Sequence, residues 1–242
     1  MFNTWLTIAN WNVMRAVPNQ SRFLSIEKDF EANHADIWFL TETHEELAPD
    51  KGYSSHFSGD PDRESKVGER WSAVWSNWPL QELKGYACDS TRSVIGRIAE
   101  SEFGEIILYG NVLPWNNDYR AKSSSSYQIY ADALEVQKSD WKKIQHDFPN
   151  TILIVAGDFN QGLVDFHYYG SAKKHRLLES TLKECNLVVL TAGENDPIAR
   201  DSCPARTSIT SALLHRGIGG SKKQLVGQTS LYPTKHFRIT LE

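Results

Sequence analysis

The sequence predicts an α/β (α+β) protein in which β-sheets pack on each other and helices cover the outside. Short apolar runs of strand length recur along the chain, and amphipathic segments with helical spacing separate some of them. A hydrophobic content of 40% in 242 residues is enough for a sizeable core. Because no internal repeat or long low-complexity linker divides the chain, we predict a single domain over residues 1–242.

The strand predictions rest on two patterns of hydrophobicity. The run at 151–157 is almost entirely apolar, which is typical of a buried strand. Near the end of the sequence, Phe237, Ile239 and Leu241 alternate with polar residues, which is typical of a half-buried strand. Further strands are predicted at 5–13, 36–40, 71–77, 92–100, 105–113 and 187–191.

Three segments space their apolar residues three or four apart, so that one face of a helix would be apolar. They are predicted as helices at 21–34, 127–146 and 173–185. Their apolar faces are formed by Phe23, Ile26 and Phe30, by Tyr130, Leu134, Trp141 and Ile144, and by Leu178, Leu182 and Cys185.

The charge balance and the cysteines narrow the class of protein. With 26 basic and 30 acidic side chains the net charge is −4, so binding to long duplexes by charge alone is not expected. Cys88, Cys185 and Cys203 form no CxxC pair, so we predict free thiols in a reducing compartment and no zinc site. No basic leader and no run of about 20 apolar residues is present, so we expect a cytoplasmic protein without a membrane span.

Polar side chains stand at or near one end of four of the predicted strands. Asp158 and Asn160 follow the apolar run at 151–157 and share one face, because side chains of a strand repeat every second residue. Asn12, Glu42 and His236 stand near the ends of three other strands. Each residue alone has an ordinary structural explanation, such as a buried amide or a turn cap, but together the set indicates a site that handles a metal ion or a phosphate.

The ordered set of motifs resembles the endonuclease/exonuclease/phosphatase superfamily, which has the DNase I-like fold. The motifs are WNV near the N-terminus, LTET after an early strand, GDFN after a buried strand, and a late histidine. The resemblance implies a four-layer sandwich in which two mainly antiparallel sheets pack face to face with helices outside. It also implies Mg²⁺-dependent hydrolysis of a phosphodiester by water, with Mn²⁺ as an alternative ion.

The resemblance also implies roles for the polar residues. Glu42 would bind the metal with Asn12 beside it, and Asp158 would position or deprotonate the attacking water. Asn160 would hold a phosphate oxygen, and His236 would contact the phosphate. These residue types suit the chemistry, because Mg²⁺ prefers oxygen ligands, keeps several waters and needs one or two carboxylates besides the phosphate.

Two positions depart from the family pattern in the C-terminal part. Lys235 precedes His236 where the family has an acid, and Thr210 with Ser211 occupies the place of the other acidic motif. Two hypotheses remain open: an active phosphoesterase in which Lys235 or Arg120 contacts phosphate, and a degenerate relative that binds a phosphorylated ligand or a protein without turnover. In a third, purely structural interpretation the resemblance is fortuitous.

Nucleic acid is the expected substrate, while phosphoinositides, other phospholipid head groups and small phosphomonoesters stay open. Trp115 is a candidate for stacking on a base. Basic residues from three stretches are candidates for contacts with phosphate: Arg92, Arg97, Arg120, Lys122, Lys173, Lys174 and Arg176. The oligomeric state is not determined by the sequence. The hypothesis requires the named side chains to converge in one cleft.

Overall fold

The computed structural model describes residues 5–61, 65–118, 125–162, 170–190, 210–215 and 235–240. The strands are β1 Trp5–Asn12, β2 Ile37–His44, β3 Ser54–Phe57, β4 Glu69–Ser76, β5 Ser93–Ile98, β6 Ile106–Val112, β7 Ile152–Asp158, β8 Val188–Val189, β9 Thr210–His215 and β10 Lys235–Thr240. The helices are α1 Ser21–Ala32, α2 Ser126–Asp147 and α3 Ala172–Glu184.

The strands form two five-stranded sheets, with the orders β10-β1-β2-β4-β3 and β5-β6-β7-β9-β8. Each sheet has one parallel pair, β1 with β2 and β6 with β7, while all other neighbours are antiparallel. The predicted sandwich of mainly antiparallel sheets is therefore confirmed. In the described part of the chain, no helix is long and apolar enough to cross a membrane.

Three apolar clusters define four layers. One cluster lies between the sheets and includes Ile8, Phe39 and Ile154. The second packs α2 and α3 on the sheet of β5–β9, and the third packs α1 on the sheet of β1–β4. In the third cluster Phe30 meets Trp38 edge to face, with ring centroids 4.8 Å apart. Each large side chain buried in this way contributes about 1.5–3 kcal/mol, so these layers fix the sheets that carry the site.

Local sequence explains where the two later helices begin. The hydroxyls of Ser125 and Ser171 accept hydrogen bonds from the backbone N–H groups of Gln128 and Lys174, as N-caps of α2 and α3. The apolar faces predicted for the three helices are the buried ones.

Several boundaries differ from the prediction. β2 extends to His44, so Glu42 lies inside a strand and not beyond its end. β3 was not predicted, because its sequence SSHF has little apolar pattern and all four residues are only half-buried at a sheet edge. The predicted strand at 187–191 is reduced to Val188–Val189. The thiols of Cys88 and Cys185 are free as predicted, whereas Cys203 lies outside the described residues.

Candidate active site

A single amide group joins two carboxylates at one end of the sandwich. Nδ2 of Asn12, at the end of β1, donates to Oε1 of Glu42 at 3.0 Å and to Oδ2 of Asp158 at 2.9 Å. The carboxylates of β2 and β7 are therefore separated by no more than two hydrogen-bond lengths. The structure thus brings together three predicted site residues from three strands of two different sheets.

The orientation of the Asn12 amide is fixed by its partners. Its Oδ1 accepts a hydrogen bond of 2.8 Å from the backbone N–H of Met14, while its NH₂ group faces the carboxylates. Turning the amide over would place its oxygen against two anionic oxygens. Asn12 therefore donates to both acidic groups in this structure, and its place beside a metal ion stays a prediction.

Asn160 is tied to Asp158 and to the strand beside it. Its backbone N–H donates to Oδ1 of Asp158 at 3.0 Å, and its Nδ2 donates to the carbonyl of Leu113 at 2.8 Å. The N–H of Leu113 in turn donates to the carbonyl of Asp158 at 2.8 Å. Among the described residues these contacts use one proton of the Asn160 amide, which leaves the second for an acceptor such as a phosphate oxygen.

Backbone conformations that residues other than glycine rarely adopt are concentrated at this site. Positive φ angles occur at Met14 (54°), Arg15 (58°), Glu42 (50°) and Asn160 (48°). Each costs about 1–3 kcal/mol unless the surroundings enforce it. A hydrogen bond of 2.7 Å from the N–H of Arg15 to the carbonyl of Glu42 helps to enforce two of them. Such clustering is typical of functional sites.

The strand that carries Asp158 is fitted closely against its neighbours. Gly157 has φ 145°, and a Cβ at this position would lie 2.0 Å from the carbonyl oxygen of Asn111. Asn10 donates to the carbonyl of Gly157 at 3.1 Å, which links the two sheets directly below the site. Burial, followed by the negative charge of Asp158, raises the pKa of Tyr130, whose hydroxyl donates to the carbonyl of Phe159 at 3.2 Å.

The arrangement fits a Mg²⁺ ion held by few protein ligands. From the described part of the chain, only Oε1 of the half-buried Glu42 accepts a hydrogen bond, so Oε2 is available to a cation. Asp158 is 3% exposed, and each of its oxygens accepts one of the two hydrogen bonds given above. Carboxylate oxygens with room for water are the ligands that Mg²⁺ prefers. No group of three or more His, Cys, Asp or Glu side chains that could bind a metal is found among the residues that the structure describes.

The C-terminal candidates are placed only by the register of their strands. Thr210 of β9 lies opposite Asp158, and Ser211 lies opposite Gly157. In β10, His236 lies opposite Ala9 and Lys235 lies opposite Asn10. β1 separates β10 from β2, the strand that carries Glu42. Arg120 lies outside the described residues. The roles of these residues therefore stay predictions.

Several charged residues are not where the sequence analysis expected them. Arg92 is fully buried and pairs with Asp118, so it is not available to a phosphate on the surface. Lys174 is 2% exposed, and burial lowers its pKa below the ordinary value. Conversely, sequence analysis missed Arg15, a partly exposed cation that follows Asn12 closely and pairs with Glu69 at 2.9 Å. Its only sequence signal is its position two residues after the WNV motif.

The two facing sheets with helices on both outer sides have the DNase I-like fold that the motifs predict. The endonuclease domain of TRAS1, a telomere-specific non-LTR retrotransposon, is similar to this chain with a TM-score of 0.61 and 16% identity, covering 98% of this chain and 99% of that one. An endonuclease/exonuclease/phosphatase from Beutenbergia cavernae has a TM-score of 0.63 and 15% identity, covering 98% and 72%. A beta toxin mutant from Staphylococcus aureus with bound magnesium ions has a TM-score of 0.60 and 17% identity, covering 98% and 99%.

These likenesses establish the fold. No protein-family model matches the sequence. No curated protein matches it either. The fold alone does not define an activity, which depends on the residues of the site.

Proposed function

We propose that this protein is a Mg²⁺-dependent phosphoric ester hydrolase that cleaves a phosphodiester by attack of water. The observation that supports this proposal most directly is the meeting of Glu42 and Asp158 on the amide of Asn12. The strain at Glu42 and Asn160 supports it further, because a purely structural sheet end would have no need of it.

The roles follow from the contacts. Glu42 would hold the metal through its open oxygen, and a bound Mg²⁺ would polarise the phosphoryl oxygen and screen the developing charge. Asp158 orients the attacking water and accepts its proton, because its Oδ2 and the carboxylate of Glu42 accept hydrogen bonds from the same amide nitrogen of Asn12. Asn12 keeps the two carboxylates at a fixed separation. Asn160 donates its remaining amide proton to a phosphate oxygen, which stabilises charge in a partly buried cleft.

In this proposal the side chains that contact the negatively charged phosphate come from the C-terminal strands and the loops. His236 contacts the phosphate, Lys235 acts on it as a point charge, and Arg120 binds it through its guanidinium, in place of a more acidic half-site. Arg15, whose backbone N–H donates to the carbonyl of Glu42, would join them.

We propose that the substrate is nucleic acid. Because the net charge of the protein is −4, it would bind nucleic acid through local contacts. Similar structures include an AP endonuclease from Archaeoglobus fulgidus and a sphingomyelinase C from Streptomyces griseocarneus, so lipid phosphodiesters belong in any substrate screen. A cytoplasmic location remains part of the proposal and not a finding.

A second candidate function is binding of a phosphorylated ligand or a protein without turnover. It is favoured by Thr210, which lies opposite Asp158 where the resemblance implies an acid, and by Lys235 beside His236. Loss of two carboxylates would weaken both metal binding and the activation of water.

The decisive experiment incubates the protein with DNA, RNA, sphingomyelin and a generic phosphodiester, with Mg²⁺, Mn²⁺ or a chelator. Product release should require the metal and fall by at least about a hundredfold in Asp158→Asn, because the general base is lost. Asp50→Asn, at an exposed aspartate, serves as the control and should retain activity. Binding of phosphorylated ligands without any product release would favour the second candidate.

A further inference from the structure

We propose that Arg92 is a positioning residue whose buried ion pair with Asp118 holds the segment 113–118 in place and thereby holds the amide of Asn160 at the site. The proposal deepens the proposed function, and its activity measurement rests on that function. The structural measurement, exchange of the side-chain amide protons of Asn160, is independent of that function.

The ion pair is completely enclosed. Nη2 of Arg92 lies 2.9 Å from Oδ2 of Asp118, and the two side chains are 0% and 1% exposed. The guanidinium carbon lies 4.5 Å from the ring centroid of Trp71 and 5.3 Å from that of Trp115. The two indole rings are themselves 5.7 Å apart. A charged group in such a place persists only with a paired partner and close packing.

Arg92 holds the segment on both sides. Its backbone carbonyl accepts a hydrogen bond of 3.0 Å from the N–H of Val112, immediately before the segment. Its guanidinium binds Asp118, the last residue of the segment. Between these two points lies Leu113, whose carbonyl accepts the hydrogen bond of 2.8 Å from Asn160. A displacement of the segment therefore moves the acceptor that orients the Asn160 amide.

A second buried cation, Lys174, binds the segment between Leu113 and Asp118. Nζ of Lys174, in α3, donates to Oδ1 of Asn116 at 2.9 Å and to Oγ of Ser126 at 2.8 Å. The segment is thus fastened to the two helices as well as to the sheets. Beyond Asn116, the position of Asp118 at the end of the segment is set by the ion pair with Arg92.

Lysine cannot replace Arg92 in this geometry. The planar guanidinium contacts two indole rings and a carboxylate simultaneously, whereas an ammonium group is a compact point charge with stronger hydration. Arg92→Lys therefore keeps the charge but loosens the segment, which makes it a suitable probe. Trp115→Phe is a milder second variant, because it weakens one of the two ring contacts and leaves the ion pair intact.

Nuclear magnetic resonance on the full chain labelled with ¹⁵N tests the proposal directly. In the wild type the two side-chain amide protons of Asn160 should exchange with solvent at different rates, because one is bonded to Leu113. In Arg92→Lys this difference should collapse, and in Trp115→Phe it should decrease. The side-chain amide of Asn33, which donates to the carbonyl of Asp29 at 2.8 Å in α1, is the internal control and should not change.

Arg97→Lys is the matched control variant. Arg97 lies in β5, pairs with Glu105 and stands 5.8 Å from the ring centroid of Phe148, but it is at the opposite end of the strand from Arg92. It should leave the Asn160 signals unchanged. With the phosphodiester that the wild type cleaves, Arg92→Lys should lower kcat by about a hundredfold, since small displacements at a site have effects of this size.

The outcomes are distinct. Unchanged Asn160 exchange in folded Arg92→Lys and Trp115→Phe variants would overturn the positioning role, whatever their activity. If the wild type cleaves no substrate, the proposed function fails while the exchange experiment still decides the positioning role. If Arg92→Lys does not fold, the milder Trp115→Phe variant carries the test alone.

Discussion

Replacing Asn12 by aspartate tests the central geometry most directly. The substitution exchanges an NH₂ donor for a carboxyl oxygen at 3.0 Å from Glu42 and 2.9 Å from Asp158. At an effective dielectric constant of about 20, two charges about 3 Å apart repel by about 5 kcal/mol. Three ionised carboxylates would therefore be less favourable than binding one additional proton among the three groups.

The loss of stability in Asn12→Asp equals the free energy needed to protonate one of the three carboxyl groups in the folded state. Protonating a carboxyl with an ordinary pKa of about 3.9 costs about 4 kcal/mol at pH 7 and about 1.5 kcal/mol at pH 5. Because the folded pKa is raised above the unfolded value, the folded variant binds more protons than the unfolded chain, and its stability falls as the pH rises. Asn12→Asp should thus be destabilised by about 4 kcal/mol at pH 7, which corresponds to a drop in Tm of roughly 10 °C.

The assay is urea unfolding of wild type and Asn12→Asp at pH 5 and pH 7, with chelator or with Mg²⁺. The variant should recover about 2.5 kcal/mol, relative to wild type, on going from pH 7 to pH 5. Added Mg²⁺ should stabilise the variant more than the wild type, because a cation neutralises the added charge. Equal stability of the two proteins at pH 7 in chelator would refute the reasoning, since it would mean that Asn12 does not lie between two ionised carboxylates.

Two further predictions concern the supports of the site. Gly157→Ala should lose at least about 3 kcal/mol of unfolding free energy in denaturant titration, because its Cβ would meet Asn111. Gly85→Ala, also at a positive φ but with nothing within 4 Å, should lose much less, and equal losses would contradict the predicted clash. Burial lowers the pKa of Lys174, so the folded state binds fewer protons than the unfolded chain between the lowered pKa and about 10.4, and stability should rise with pH there. Calorimetry from pH 8 to 10 should show that Lys174→Met removes this rise while Lys183→Met, at an exposed lysine of the same helix, retains it; a rise that persists in Lys174→Met would exclude Lys174 as its source.

Periodicity predicted the elements that carry strong hydrophobic patterns and failed where the pattern is weak. The helices and the long strands were found because their apolar residues repeat at spacings of a helix or a strand. β3 was missed because an edge strand with four half-buried residues carries no such repeat. Glu42 was expected beyond its strand, but pairing of Thr43 and His44 with β4 extends β2 past it. That extension depends on a partner distant in sequence, which local patterns do not reveal.

The sequence by itself determined the sandwich class and the short motifs at the ends of apolar strands, because burial of apolar residues and side-chain alternation are local properties of the chain. Only the tertiary structure decided that the amide of Asn12 faces two carboxylates, that Arg92 is buried against Asp118, and that Lys174 lies inside the protein. These facts depend on which distant strands and loops meet. The sequence does not show whether a charged side chain faces solvent or a buried partner, because that depends on how distant segments pack.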